Sequence, residues 1–419
     1  MNLEEFMKSG SVQTWLTGLK SSPDLHSTKY HWAGNLKRFC EWAGKTPDQL
    51  IEERKEQLRS EDQRERYSAE LKVKAFLDYL TEQGKSPNTR KNHFSAIRNF
   101  YKRNYYELTF FRGDGPENET VQEGSRAASK DDINKMLEVS NPRIRALLLF
   151  LKDTGLAEAD CAKLKLKDIN VLEQYDVRPL KEVSEIFLLE PPIPIIVKRK
   201  KTKRLTITFM GKESLDALKT TLRLRQQGSA ELTIRRYDHD EHKLGIGPET
   251  LTLESPLFRS YEKFFQRTNM KVNHLSPAAI GVIVRKAAIN AGCWKEGFAA
   301  HSLRRYFQTN LEMAGTNPNW IKKMMGHALE GSEGPYSRPE VVTLGQAYMK
   351  AYSLLAVSEV AAQKSRVESL EAQVAALSVN GHSKSSEIDD LRCRMAEMEK
   401  TLENISKFAQ KASEKLPEA

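Results

Sequence analysis

Four side chains in the second half of the sequence have the types and the spacing needed to act on a phosphate group. His301 and Arg304 are three residues apart, which places both on one face of a helix. There the guanidinium can bind a phosphate through two hydrogen bonds, and the imidazole beside it can donate or accept a proton. His327 follows Gly326, and Tyr336 comes nine residues later in a Gly/Ser/Pro-rich stretch that could place its phenol in a cleft. Each residue alone is more often structural, but the four in this order indicate a phosphate-directed site.

Two helices and a hairpin must position these side chains. The first helix offers Tyr306, Phe307 and Leu311 for packing, and Asn317-Pro318 begins a second helix, NPNWIKKMM. Upstream, the strand-like segments EIFLL and IPIIV precede the basic segment KRKKTKR, after which LTITFM alternates again. We therefore predict a β-hairpin with a very basic tip.

Basic residues also suggest a nucleic-acid surface on an earlier helix, SPNTRKNHFSAIRNFYKRN. Ser86 is a plausible N-cap, Pro87 follows at the first helical position, and the apolar residues have helical spacing. The opposite face carries a stripe that could follow a phosphate backbone or could simply be solvated. The stripe consists of Arg90, Lys91, Arg98, Lys102 and Arg103.

The length of 419 residues leaves room for two or three domains. We predict a mainly α protein with a small β-sheet (α+β), with a helical domain at 1–110, a linker at 111–126 and a second domain at 127–356. The first domain would include helices at His31–Trp42 and Tyr67–Leu80.

The second domain begins with a helix for which Ser129 is a plausible N-cap. The run IRALLLFLKDTGL predicts a buried helix that ends at Gly155. The polar stretch 228–256 is typical of an inserted loop. Its His239 and His242 could bind a metal in isolation, but a convincing third and fourth ligand are missing from the sequence, so we favour a loop.

Charge points to a polyanionic partner. The net charge is +10, of which the residues before Val357 carry +12 and the remainder −2. Basic side chains displace condensed counterions from nucleic acid, although composition alone does not separate DNA from RNA or an anionic membrane surface. The longest apolar runs fall short of the roughly 18 residues that cross a bilayer, and the acidic N-terminus lacks the apolar segment of a secretory signal. We expect an intracellular protein whose four scattered cysteines are reduced.

The last segment, 357–419, changes to a heptad pattern that predicts a coiled coil. The pattern is sustained over about seven heptads, which is too long for an ordinary surface helix. It is either one long coil with a soft middle or two helices folded at Asn380-Gly381. The a and d positions are Val360, Val367, Leu370, Val374 and Leu377, then Ile388, Leu391, Met395, Met398, Leu402 and Ile405.

The segments HSLR, GH and the following tyrosine resemble the C-terminal signature of the tyrosine recombinases, the phage integrase family, and particularly archaeal integrases. The helix that begins at Ser86 is similar to the last helix of the family's core-binding domain. The resemblance covers roughly residues 10 to 355 and leaves the coiled coil outside it. It implies a site-specific DNA recombinase that cuts and rejoins DNA through a 3′-phosphotyrosine intermediate, to integrate or excise a mobile element. The expected partner is double-stranded DNA at att-like sites, with four protomers bound to two sites. The resemblance also implies a cytoplasmic enzyme from a prokaryotic, archaeal or viral element.

The resemblance also implies a role for each site residue. Tyr336 would be the nucleophile, Arg304 a phosphate clamp, and His301 and His327 hydrogen-bond donors that assist proton transfer. A hairpin lysine would protonate the leaving 5′ oxygen, and Lys201 is our choice, with Lys200 and Lys203 as alternatives because the register of the turn is open. Such a site needs no metal or cofactor when enough cationic donors meet the phosphate. Other basic residues near the hairpin and helix would attract DNA: Lys198, Arg199, Lys200, Lys203 and Arg305.

One position departs from the family pattern. The family places its first catalytic arginine directly after the TGL motif, where this chain has Ala157, while Asp160 matches the acidic position that follows the arginine. Alanine cannot clamp a phosphate. Either an arginine has been replaced by design to stop cleavage, or the chain takes the charge from another residue, such as Arg305 or Lys163. The sequence favours the first explanation, because every other expected catalytic position is filled.

Two other functions compete with recombination. A catalytically silent relative could occupy an att-like site as an architectural or regulatory factor, which Ala157 would explain. A coiled-coil scaffold with incidental basic domains is the third possibility, but it has no use for His301, Arg304, His327 and Tyr336 in catalytic order.

The coiled coil predicts that residues 358–408 self-associate and raise the local concentration of protomers on DNA. Removing everything after Val357 should therefore weaken assembly of the complex of two DNA sites, while cleavage of a single site stays largely intact. Sedimentation and recombination yield measure the two effects. An unchanged oligomeric state together with an unchanged yield would exclude this role.

Overall fold

The computed structural model describes residues 2–19, 25–116, 126–174, 176–199, 205–228, 248–260, 274–295, 297–327 and 339–358, together with 367, 393–398, 400 and 401. The chain forms two compact units, Met1–Glu123 and Gly124–Ala419. None of the described helices combines the length and the apolar character that a membrane-spanning segment requires.

The first unit is helical in its described part. The two predicted helices are present. The one predicted at His31–Trp42 is longer, Leu25–Ala43, and the one predicted at Tyr67–Leu80 runs from Ser68 to Glu82. The helices are α1 (Leu3–Phe6), α2 (Gly10–Thr17), α3 (Leu25–Ala43), α4 (Pro47–Gln57), α5 (Gln63–Arg66), α6 (Ser68–Glu82) and α7 (Pro87–Arg103).

Helix α7 confirms the capping and the periodicity of its sequence. The Ser86 hydroxyl accepts a hydrogen bond from the Thr89 amide, and Pro87 occupies the first position of the helix. The four apolar residues at helical spacing are buried, and they form one core with aromatic residues of α2, α3 and α6. These four are Phe94, Ile97, Phe100 and Tyr101.

The second unit is mainly helical with two small antiparallel sheets, so the predicted α+β fold class is confirmed. Two short 3₁₀ helices, Leu166–Asp168 and Val183–Leu188, lie among the strands. The helices are α8 (Lys130–Glu138), α9 (Pro142–Thr154), α10 (Glu158–Cys161), α11 (Lys212–Gln227), α12 (Pro277–Asn290), α13 (Ala300–Met313), α14 (Pro318–Met324) and α15 (Val341–Leu355). The strands are β1 (Asn170–Leu172), β2 (Val177–Pro179), β3 (Ile193–Lys198) and β4 (Leu205–Met210).

Helix α9 forms the centre of this unit. It is apolar on nearly all sides, so burying it requires neighbours all round, and α11 and α13 pack against it. Gly155 ends it in the left-handed conformation (φ 59°), as predicted from the sequence. The predicted cap at Ser129 is also confirmed, since its hydroxyl accepts from the Asp132 amide at the start of α8.

The predicted hairpin is confirmed as β3 paired with β4, with Ile193 opposite Met210 and Lys198 opposite Leu205. Its tip, residues 200–204, lies outside the described residues. The prediction that EIFLL forms a strand was wrong, because this segment lies in the 3₁₀ helix Val183–Leu188 and the residue that follows it. The buried residues Ile186 and Leu189 are three apart, and Leu188 between them is 82 % exposed, which is the period of a 3₁₀ helix.

The polar stretch at 228–256 is described only at Gly228 and from residue 248 onward, so His239 and His242 lie outside the described residues. The part after residue 248 is anchored to the unit. Glu249 accepts hydrogen bonds from Arg225 at 2.7 and 3.0 Å, and its carboxylate also pairs with Arg259.

Helix α9 carries two charged residues that the core encloses completely. Lys152 Nζ lies 2.5 Å from Asp153 Oδ1 and 2.8 Å from Glu213 Oε2. Asp153 Oδ2 accepts a hydrogen bond from the Gly211 amide at 3.2 Å. Burial opposes a charge on Lys152, but the two carboxylates outweigh burial and raise the pKa of this lysine.

The same network of charges also binds the chain just after α15, at Val357 and Ser358. The Glu213 carboxylate accepts hydrogen bonds from the Val357 amide at 3.1 Å and from the Ser358 amide at 2.8 Å. Of the predicted coiled coil beyond, the structure describes residues 367, 393–398, 400 and 401, and 393–398 are helical. The remainder of the coil lies outside the described residues. A deletion that tests the coil should begin after Ser358, because both bonds to Glu213 then remain.

Replacing Lys152 with Met should destabilise the second unit by about 3–5 kcal/mol, because two buried carboxylates would lose their cation. Denaturant-dependent hydrogen exchange of peptides from α9 and α11 in the full chain measures the change. Lys135→Met is the matched control, since its pair with Asp131 at 2.7 Å is exposed and should contribute little. Equal effects of the two substitutions would contradict the central role of Lys152.

Candidate active site

Arg304 lies at the centre of the candidate site, near the start of α13. Its side chain is buried, with 4 % of the residue exposed. Nη1 donates to the Gly155 carbonyl, and Nη2 donates to the Met325 carbonyl at 2.7 Å and lies 2.8 Å from His327 Nε2. One guanidinium therefore joins α13, the turn after α9 and the segment after α14.

Two glycines make these turns possible. Gly155 has φ 59°, and a Cβ there would lie 2.4 Å from Phe307 Cδ1. Gly326 has φ 68°, and a Cβ there would lie 2.3 Å from Arg199 Cδ and 2.4 Å from Thr206 Oγ1. Both positions need a left-handed backbone and an absent side chain, which glycine alone provides.

The contact with Arg304 defines the tautomer of His327. A guanidinium has only donors, so Nε2 of His327 must accept, and the ring proton of the neutral imidazole is on Nδ1. Burial, followed by the charges of Arg304 and Arg199, lowers the pKa of His327. The imidazole is therefore held neutral at neutral pH and keeps its bond to Arg304.

His301 lies one helical turn before Arg304, as the spacing predicted, and its side chain is exposed. Partial desolvation and the charges of Arg305 and Arg304 lower its pKa. The site thus contains two imidazoles that favour the neutral form, beside a guanidinium whose pKa desolvation and Arg199 lower to about 10. That guanidinium still carries its charge at neutral pH.

Arg199, the residue after β3, is a second guanidinium in the same place. Its Nε lies 2.8 Å from Asp160 Oδ2, and its Nη1 donates to the Gly326 carbonyl at 2.7 Å and to the Met325 carbonyl at 3.2 Å. The sequence predicted Arg199 only as one of several basic residues that attract DNA. The signal for its special position was Asp160, an acid that in the family pattern follows an arginine that this chain lacks.

Ala157 lies at the start of α10, half-buried, and its carbonyl accepts hydrogen bonds from the Asp160 and Cys161 amides. Of the two residues named from the sequence as substitutes for the missing arginine, Lys163 is exposed and Arg305 is half-buried near His301. Neither is the partner of Asp160 in the structure, since Arg199 holds that position.

Comparison with known proteins places this site in a family. The model of the Phage integrase family matches residues 127–338, about half of the chain. The chain belongs to the phage integrase family. The resemblance seen in the sequence is thereby confirmed at the level of the family, while the likeness to archaeal integrases stays a prediction.

Individual relatives of this phage integrase family member are distant. A tyrosine recombinase XerC from Thermodesulfovibrio yellowstonii is 24 % identical over 292 residues, covering 67 % of this chain and 81 % of the relative. A tyrosine recombinase XerD from Agrobacterium fabrum is 23 % identical over 258 residues, covering 61 % and 72 %. Among solved structures, a lambda integrase (residues 75–356) dimer bound to a COC′ core site aligns with a TM-score of 0.48 at 12 % identity, covering 81 % of this chain and 96 % of that one.

The nucleophile expected in this family, Tyr336, lies outside the described residues, as do Lys200, Lys201 and Lys203. Two other tyrosines close in sequence are described, Tyr348 and Tyr352 on α15. They are 0 % and 1 % exposed, and burial raises the pKa of each phenol well above its ordinary value. Neither can present a phenolate to a DNA backbone without unfolding α15 from the core.

The predicted basic stripe of α7 is exposed over most of its length, and part of it is engaged within the first unit. The Arg98 guanidinium lies 5.4 Å from the centre of the Phe94 ring, and Lys102 pairs with Glu107 at 2.7 Å. Arg90 donates to the Thr81 hydroxyl at 2.9 Å. Lys91 and Arg103 are exposed, as is Lys198 at the end of β3. Within the described residues, no group of three or more His, Cys, Asp or Glu could hold a metal ion.

The His327 imidazole should show an unprotonated Nε2 and a titration midpoint below that of a histidine in a short peptide, about 6.5. Nitrogen NMR of the histidine-labelled chain measures both properties. Arg304→Met should raise the midpoint, because it removes the nearest positive charge. Formation of a covalent DNA adduct should fall as the pH drops through the midpoint, since the imidazolium cannot accept the bond from Arg304. A protonated Nε2 at neutral pH would contradict this geometry.

Proposed function

We propose that this phage integrase family member is a site-specific DNA recombinase, which cuts and rejoins DNA through a 3′-phosphotyrosine intermediate. The observation that carries the proposal is the pair of guanidinium groups on Arg304 and Arg199, which meet at the Met325 carbonyl beside two neutral imidazoles. Preorganised donors of this kind stabilise the charge that develops on a phosphate in its transition state. The chain's relatives are named as tyrosine recombinases, which supports the same reaction class.

Each transfer replaces one phosphoester bond with another, so the reaction needs no added energy source. In this proposal Tyr336 Oη forms a bond to phosphorus while the bond to the 5′ oxygen breaks, so the phosphotyrosine ester replaces the phosphodiester. The neutral imidazole of His301 accepts the phenol proton, because His327 already has its proton on Nδ1 and its Nε2 bound to Arg304. A hairpin lysine, Lys201 in our assignment, protonates the leaving oxygen. Attack by a 5′ hydroxyl of another strand reverses each transfer and restores a DNA backbone.

The wider setting follows from charge and from the family. We propose double-stranded DNA as the partner, because the residues before Val357 carry a net charge of +12. Lys198 and Arg305, together with the exposed members of the α7 stripe, are the proposed backbone contacts. We also propose that four protomers act on two att-like sites. Their role would be the integration or excision of a mobile element from an archaeal or viral source, and their location the cytoplasm.

A catalytically silent DNA-binding relative is the other outcome that Ala157 permits. The contact of Arg199 with Asp160 is an argument against it, because this contact brings a guanidinium to a carboxylate only three residues after Ala157. The two functions differ in one observable, a covalent protein–DNA adduct.

Tyr336→Phe should abolish that adduct, since a phenyl ring has no oxygen to attack phosphorus. The test uses a duplex that footprinting with this protein identifies as its site, nicked next to the cleavage point so that the adduct accumulates. Adducts are counted on denaturing gels for the unaltered chain and for Ala157→Arg. Tyr348→Phe is the matched control and should still form the adduct, because its buried hydroxyl has no hydrogen-bond partner among the described residues. An adduct from Tyr336→Phe would place the nucleophile elsewhere, and its absence from every form of the chain would favour the silent relative.

A further inference from the structure

We propose that Arg199 is a catalytic residue that supplies the phosphate clamp that position 157 lacks. The inference rests on the proposed function and names a further residue of the same site. In this proposal Ala157 does not abolish activity. The guanidinium that binds the phosphate comes from the end of β3 instead of from the turn after α9.

The first argument is the partner of Asp160. This carboxylate is buried, with 4 % of the residue exposed, and a buried carboxylate needs a cation. Position 157 lies three residues earlier, and an arginine there would be the local source of that cation. The cation instead comes from Arg199, 39 residues along the chain, through a 2.8 Å contact between Nε and Oδ2. The carboxylate that would orient an arginine at 157 therefore orients Arg199.

The second argument is the proximity of the two guanidinium groups. Arg199 Nη1 and Arg304 Nη2 both donate to the Met325 carbonyl, at 3.2 and 2.7 Å. Two cations held this close repel each other, and the charge of Arg199 contributes to the lowered pKa of Arg304. Only one of them pairs with a carboxylate among the described residues, so the pair carries an excess of positive charge. A phosphate that bound both would remove the repulsion.

The third argument is that the surroundings are shaped to hold Arg199 in one position. Gly326 leaves the space that Arg199 Cδ occupies, and its carbonyl accepts from Nη1 at 2.7 Å. Nε and Nη1 are thus engaged, while no described residue accepts from Nη2. The side chain is 13 % exposed, and Nη2 is not one of the buried nitrogens that lack a partner, so this nitrogen has access to a ligand. A fixed guanidinium with a donor to spare is suited to a phosphate oxygen.

A purely structural role is the competing interpretation, because the same bonds tie the hairpin to Asp160 and to Gly326. The two roles differ in their response to the charge of the substrate. A clamp acts on the negative charge of the scissile phosphate, whereas a structural link affects every substrate alike. A methylphosphonate at the scissile position is neutral and therefore separates the two roles.

The experiment measures adduct formation on the nicked duplex described above, with either a phosphate or a methylphosphonate at the scissile position. Arg199→Ala should slow the reaction of the phosphate substrate by ~10²–10³-fold, and that of the methylphosphonate substrate by less than about tenfold. DNA affinity should change only a few-fold, because many basic residues share the backbone charge. The matched control is Arg178→Ala, which removes an arginine whose Nε also pairs with a carboxylate at 2.8 Å, that of Glu173, at the surface. It should leave the rate unchanged.

A compensating substitution gives a second readout. Ala157→Arg alone should change the phosphate rate by less than about tenfold, since the clamp is already present. In the Arg199→Ala background it should recover at least tenfold of the lost rate, because position 157 can again place a guanidinium next to Asp160. Equal slowing of both substrates by Arg199→Ala, or a native rate, would overturn the proposal.

The outcomes also separate this inference from the proposed function. An adduct that appears only after Ala157→Arg would overturn the role of Arg199 while the recombinase assignment stands. The absence of an adduct from the unaltered chain, from Ala157→Arg and from the double variant would overturn both. If Arg199→Ala fails to fold, Arg199→Lys gives the same decision, since lysine can pair with Asp160 but lacks the planar pair of donors.

Discussion

The second unit depends on one costly arrangement, the burial of the Arg304 guanidinium among neutral acceptors. A buried charge is tolerated where hydrogen bonds replace its hydration, and here two backbone carbonyls and one imidazole accept three of the five N–H bonds of the guanidinium. Those acceptors come from two separate segments, the turn at Gly155 and the short stretch from Met325 to His327 after α14. Each must be placed to within hydrogen-bond distance before the charge can be buried. Helix α9 has to end at the left-handed Gly155, and α14 has to end at Met324, because the carbonyls of Gly155 and Met325 must be free of helical bonds to accept from Arg304.

The β3–β4 hairpin places a second cation, Arg199, beside Arg304 instead of a carboxylate that would neutralise it. A structure selected for stability alone would place a carboxylate opposite Arg304. Here β3 delivers Arg199 to the same carbonyl oxygen, and Asp160 neutralises only one of the two charges. The two cations repel each other, and a phosphate bound to both would relieve this repulsion. This is the physical meaning of preorganisation, since the protein meets the cost of assembling the cations when it folds, before the reaction begins.

Local chemistry explains what the sequence could predict. The caps at Ser86 and Ser129, the glycine end of α9 and the HxxR spacing on α13 all depend on neighbours within four residues, and all were confirmed. EIFLL was assigned wrongly because a three-residue period and an alternating one look alike over five residues. Strands β1 and β2 have three residues each, too few to show a pattern. The partner of Asp160 could not be derived at all, because the bond to Arg199 spans 39 residues and depends on the register of a hairpin.

The buried charges of α9 link the active-site turn to the point where the chain leaves the core. Lys152 and Asp153 directly precede Thr154 and Gly155, and Thr154 accepts a hydrogen bond from Thr208 on the hairpin. Through Glu213, the same charges hold the amides of Val357 and Ser358. Displacing either the turn at Gly155 or residues Val357 and Ser358 would leave a buried charge without its partner, so the two places stabilise each other. The amides of Val357 and Ser358 are therefore connected, through Glu213 and Lys152, to the helix whose C-terminal glycine provides the carbonyl that Arg304 binds.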